Sequence, residues 1–148
     1  MALFLFALMA VACSKKQGDE ELIRQAVAEA AASAGEKDVS GVIKQLSKDY
    51  HDDRGLDYRA VKGVIFGELI KPGNVKVFVT AVSVELKPPR AIAVAKAVLV
   101  RGKDVKSVKD IVPQDADAYK FTLLFKKEEN GWKVFDSSWE SVSVAGLL

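Results

Sequence analysis

Between Asp19 and Leu69 the apolar residues recur every three or four positions, and after Pro72-Gly73 they alternate with polar ones. The first spacing puts one apolar stripe on a helix; the second puts one apolar face on a strand. Leu22, Ile23, Ala26, Val27, Ala30, Ala31 and Ala34 predict a first helix, with Asp19 as its cap and Gly35 at its end. Asp38 is placed to cap a short second helix carrying Val39, Val42, Ile43 and Leu46. Asp57 is placed to cap a third, carrying Val61, Val64, Ile65 and Leu69.

The alternation over residues 75–86 contains a phase slip. Val75, Val77 and Val79 share one parity, and Val82, Val84 and Leu86 take the other. One extra residue near Thr80-Ala81 would keep both groups on one face, which predicts a β-bulge or sharp bend. Pro88-Pro89 makes a turn into a second strand, 90–101. Ile92, Val94, Val98 and Val100 share one of its faces, and Ala91, Ala93, Ala95 and Ala97 share the other. The polar segment 102–116 reads as a long loop. Tyr119, Phe121, Leu123 and Phe125 predict a third strand, and Trp132 to Glu140 is the returning fourth. Asn130-Gly131 between them is a hairpin signal, with both turn positions expected at positive φ. Residues 141–148 are small and apolar, and read as a strand extension or a tail. Helices followed by a strand meander give an α+β fold: three N-terminal helices packed on a curved four-stranded antiparallel sheet.

A chain of 148 residues suits one domain. The net charge of +2 is close to balance, with no basic stripe interleaved with aromatics, so nucleic acid is not an expected partner. Arg101, Lys103, Lys106 and Lys109 read as a solvated loop. Composition changes the picture at the N-terminus. Residues 1–12 carry no charged side chain and are dominated by Leu, Phe, Met and Val. The run is shorter than the roughly 20 residues of a spanning helix and fits the apolar core of a signal peptide. Ala10-Val11-Ala12-Cys13 resembles a bacterial lipobox, in which the cysteine is acylated and becomes the first residue of the mature protein. The resemblance implies a signal peptide over 1–12, lipidation of Cys13 and a polar tether over 13–18. Ala10 departs from the usual Leu, and no basic stretch opens the segment, so the true start is expected upstream or the segment trimmed. The alternative is a buried N-terminal element with a core cysteine; the abrupt polar switch after Cys13 speaks against it.

Several local segments also carry a resemblance. Leu46-Ser47-Lys48-Asp49-Tyr50, His51 to Asp57, and Gly131-Trp132-Lys133-Val134 with Ser138-Trp139-Glu140 stand in the order found in the nuclear transport factor 2-like, or cystatin-like, superfamily. The second of these resembles a segment of its uncharacterised bacterial lipoproteins. The resemblance covers residues 19–140 and implies a cone-shaped domain, with a curved sheet wrapping a helix face around a pocket. It admits enzymes such as ketosteroid isomerases and scytalone dehydratase, as well as non-enzymes.

Candidate chemistry is sparse. His51, the one histidine, lies beside Asp52 and Asp53, but neighbours on a strand point opposite ways, so the pair does not converge. Asp52-Asp53 read as turn capping near Gly55 rather than a cation site, with Arg54 as a partner for the carboxylates. Glu68 stands on the apolar face of the third helix, at its edge or inside the pocket. His51, Tyr58 and Glu68 are therefore the catalytic candidates. Tyr58, Ile65, Phe78, Tyr119, Phe121 and Trp139 are the expected pocket walls. No metal or cofactor is implied. The leading expectation is a membrane-anchored cell-envelope lipoprotein, its cone domain binding a small apolar molecule or a protein without catalysis. The alternatives are a small pocket enzyme (isomerase, dehydratase or hydrolase) and a homodimer joined through the face bearing Ile92, Val94, Val98 and Val100.

Overall fold

The computed structural model describes residues 17–148. The expected signal segment, Cys13 and most of the tether lie outside the described residues. Three helices, α1 (Asp19–Gly35), α2 (Val39–Ile43) and α3 (Tyr58–Leu69), precede four strands. The strands β1 (Val75–Lys87), β2 (Arg90–Arg101), β3 (Ala116–Glu128) and β4 (Gly131–Ser141) form one antiparallel sheet in chain order. The α+β architecture follows from the switch in apolar spacing after Pro72-Gly73.

The caps hold with one exception. Asp38 accepts from Gly41 N, and Asp57 from Ala60 N. Gly18, not Asp19, is the cap of α1. Asp19 instead stands in the first turn and accepts from Trp132 Nε1 at 3.0 Å and Lys127 Nζ at 2.8 Å, fastening the helix to β4 and β3. Gly41 has a packing reason to be glycine: a Cβ there would run into the Ser33 hydroxyl and lie 2.8 Å from the Ser33 Cβ, where α2 crosses α1.

The register of β1 on β2 shifts between Val79 and Ala81, leaving Thr80 as the extra residue. The shift returns Val82 and Val84 to the face shared by Val75, Val77 and Val79. A second shift, unforeseen from the alternation, leaves Phe135 unpaired in β4. Such bulges bend a sheet. The last hairpin differs from expectation by one residue. Gly131 pairs with Glu128, so Glu129-Asn130 form the loop, and Gly131 alone takes positive φ, at 108°.

Ala91, Ala93, Ala95 and Ala97 are buried, the first three in one core with Ile23, Ala26 and Val27 of α1. The opposite face is not free. Val98 and Val100 are buried beneath Val105 and Ile111 from the segment read as a polar loop, joined by Val142, Val144 and Leu147. That segment contains two short 3₁₀ turns, Val108–Asp110 and Pro113–Asp115, the first closed by a Ser107–Asp110 capping box. The C-terminal residues expected as an extension or tail are thus part of this outer core. Of the expected dimer face, only Ile92 and Val94 remain uncovered by this cluster. Among the described residues no helix is long and apolar enough to cross a membrane.

The connection from α2 to α3 lies along the β4 edge. Leu46 bridges Val134 in parallel, and His51 N donates to Phe135 O at 3.0 Å. The buried Asp52 carboxylate holds this connection's turn by accepting from Arg54 N and Leu56 N. The buried Tyr50 phenol donates to Asp52 at 3.0 Å and meets the Ser137 hydroxyl at 2.7 Å. Its single proton is used on Asp52, so Ser137 is the donor in the second bond.

Two outcomes are expected. Gly41→Ala should destabilise by about 1–3 kcal/mol through overpacking, although alanine is the better helix former by about 1 kcal/mol. A thermal midpoint at or above that of the parent protein would refute the close contact. Burial pushes the Tyr50 phenol from 10.0 up to about 12, so the fold favours its neutral form. That stabilisation is complete below pH 10 and is lost as pH rises through about 12. Urea unfolding at several alkaline pH values should show stability falling less steeply in Tyr50→Phe than in the parent. Equal slopes would contradict the buried phenol.

Candidate functional site

On the concave side of the sheet the side chains are large at one end and small at the other. Ile23, Phe125 and Trp132 fill the first end and are at most 4% exposed. At the second, Ala30, Ala31 and Ala34 of α1 and Ala95 and Ala97 of β2 line one common space. Helix and sheet backbones pack at about 10 Å, a separation that alanines cannot fill. What remains is a cavity of ≈ 520 Å³, closed on its third side by α3. Sites for small ligands commonly measure about 300–1,000 Å³.

The walls are mostly apolar. Val77, Val79, Leu99, Phe121 and Leu123 come from the sheet, with Val61, Val64, Ile65 and Leu69 from α3. Val64 is 39% exposed although it lines the cavity, which marks the open side. Tyr119 and Phe121 are stacked at a tilt of 45° with ring centroids 6.0 Å apart. Polar groups occupy two places. Ser137 and Gln45 lie near Val134, with Ser137 tied to Tyr50 and Gln45 donating to Glu29 at 3.1 Å. Glu68, Lys71 and Arg101 stand together at the other end. Lys71 donates to both Glu68 carboxylate oxygens at 2.7 Å.

The expected site residues separate accordingly. Ile65, Tyr119, Phe121 and Trp139 line the cavity, and Glu68 stands on its rim with its side chain 60% exposed. Tyr58 does not line it: its hydroxyl accepts from Lys48 Nζ at 2.8 Å, and Lys48 and Lys62 lie over its ring. Phe78 pairs with Val98 and packs into the outer cluster, since it has the parity opposite to Val77 and Val79. His51 is exposed and stands in the loop bridge to Asp57, away from the cavity wall. Arg54 does not pair with the neighbouring carboxylates; its guanidinium lies 3.5 Å over the Trp139 ring and donates to Trp139 O. Arg101, read from sequence as part of a solvated loop, instead ends β2 on the cavity side, a placement that the alternation of β2 predicts.

Chemically this site can enclose an apolar body. No acid–base pair converges inside it among the described residues. The raised Tyr50 phenol is no base at neutral pH, and Ser137 directs its proton at that phenol. No group of three His, Cys, Asp or Glu residues among those described is placed to hold a metal ion. A second, more open groove of ≈ 350 Å³ between α1 and α2 is polar, and its groups satisfy one another through Ser40–Asp38 and Gln45–Glu29 bonds.

No protein-family model matches the chain, and no curated protein matches it. Solved structures do. A candidate dehydratase of the nuclear transport factor 2-like family from Streptomyces avermitilis is 14% identical, with a TM-score of 0.67 over 84% of this chain and 96% of that one. A nuclear transport factor 2-like protein of unknown function from Pseudomonas putida is 16% identical, with a TM-score of 0.67 over 82% and 84%. A protein of unknown function with a cystatin-like fold from Nostoc punctiforme is 12% identical, with a TM-score of 0.66 over 84% and 91%. The fold is therefore the nuclear transport factor 2-like, cystatin-like one.

Space around Ala97 can be tested without any ligand. Ala97→Leu should leave stability unchanged or raise it by up to about 2 kcal/mol, at roughly 0.8 kcal/mol per buried CH₂. Ala93→Leu, at the filled end, should cost about 1–3 kcal/mol by overpacking. Urea denaturation of both variants checks this; equal losses would mean that the cavity is closed in solution.

Proposed function

We propose that this chain is a non-catalytic binding domain for an apolar small molecule, held at a bacterial cell-envelope membrane through acylated Cys13. The reading is carried by the cavity of ≈ 520 Å³, whose walls are apolar and whose few polar groups are already engaged with one another or gathered at one rim. Two of the three catalytic candidates, His51 and Tyr58, are off its wall, and Glu68 is ion-paired to Lys71. The fold alone does not choose, because it hosts many functions. The candidate dehydratase among the similar structures favours the second reading, a pocket enzyme. This chain lacks the convergent acid and base that such chemistry needs among its described residues.

Anchoring rests on the resemblance of Ala10 to Cys13 to a lipobox. One acyl chain binds membranes only marginally, whereas two or more hold a protein there. The polar residues after Cys13 would then act as a short tether between bilayer and cone.

One preparation tests both parts. The full chain, extracted from bacterial membranes, should carry lipid on Cys13 by intact-mass analysis. It should also carry an apolar small molecule that is depleted in Ala97→Leu. An unmodified Cys13 would remove the anchoring, and equal ligand content in the two proteins would remove the cavity as the binding site.

A further inference from the structure

Among the described residues the cavity wall holds one charge without a counter-ion. Arg101 pairs with Val75 at the end of β2 and lines the cavity. Its Nη2 makes one long hydrogen bond, 3.4 Å, to the Glu68 backbone carbonyl. Its Nη1 is shielded from solvent and has no hydrogen-bond partner among the described residues. No carboxylate among the described residues forms an ion pair with it. Glu68, the acid beside it, is held by Lys71 at 2.7 Å. These three side chains together therefore carry one net positive charge.

A guanidinium presents N–H donors in a planar fork that matches a carboxylate. Beyond this rim the wall is mostly apolar, through Val77, Val79, Ala97 and Phe121, with Ser137 and Gln45 as its polar residues. We propose that the cavity binds an amphiphilic carboxylate, with one anionic head on Arg101 and an apolar body lying along the alanine-lined gap. The proposal rests on the cavity being a ligand site and names the class of ligand. A monoanion matches the single net charge. A cationic amphiphile would meet Arg101 with like charge.

The test uses the full-length chain carrying Cys13→Ser, which leaves every cavity residue in place, and titrates dodecanoate, dodecanol and dodecylamine by calorimetry. Dodecanoate should bind roughly ten- to a hundredfold tighter than dodecanol, the range expected for hydrogen bonds to a charged group. Shortening it to decanoate should weaken binding by up to about fourfold per methylene removed. Arg101→Met should abolish the preference for the acid over the alcohol while keeping a thermal midpoint no lower than that of the parent. Arg101→Gln is the second variant, should the first not fold, with the same loss of preference. Equal binding of acid and alcohol, a preference that survives both substitutions, or tighter binding of the amine would overturn the anionic-head assignment and leave the cavity reading standing. Absence of binding by all three amphiphiles would overturn both.

Discussion

Backbone separation between a helix and a sheet is set by the packing of whole elements, not by any one side chain. In this molecule that constraint meets alanine on both sides. Ala30, Ala31 and Ala34 on α1 line the same space as Ala95 and Ala97 on β2, while Ile23, Phe125 and Trp132 fill the other end of the concave side. The filled end fixes the gap, and the alanines leave it empty. Voids of this kind cost stability, so the rest of the fold must supply it elsewhere. It does so partly by covering the outer face, where Val98 and Val100 are sealed under Val105 and Ile111.

The connection between α2 and α3 matters for the same reason. It lies along the β4 edge and leads into α3, the third wall of the cavity. Tyr50 and Asp52 lock it to Ser137, a residue whose own position is on the cavity wall. A polar network of this kind rigidifies when every member is satisfied. Here the phenol, the carboxylate and the hydroxyl each have partners, which suits a frame for the cavity better than a reacting group inside it.

Much of the fold was legible in the sequence because apolar spacing is periodic. The bulge at Thr80 showed because valines stand on both sides of the slip. The bulge at Phe135 did not, since apolar Phe135 is the extra residue and polar Ser137 takes an inward position, which blurs the alternation. The covering of the outer face was hidden because Val105 and Ile111 are scattered among lysines, with no period to mark them as buried. Within the site, Tyr119, Phe121 and Trp139 could be read from parity. Phe78 could have been excluded by the same rule, since Val77 and Val79 flank it. Tyr58 shares a helical face with Val61 and Ile65, yet stands one turn too early to reach the cavity wall, which spacing alone does not reveal. The small-residue stripe was visible as a pattern, but its meaning depends on what faces it, and that is a matter of tertiary structure.

The claim on which the rest turns is that the alanine-lined gap is open space. Crystals of the protein exposed to xenon gas under pressure test it most directly, because xenon enters apolar cavities of this kind. The account predicts xenon density between α1 and β2, in contact with Ala31, Ala97 and Phe121. Crystals without xenon there, in which the Tyr119 and Phe121 rings or a displaced α3 occupy that space, would contradict it.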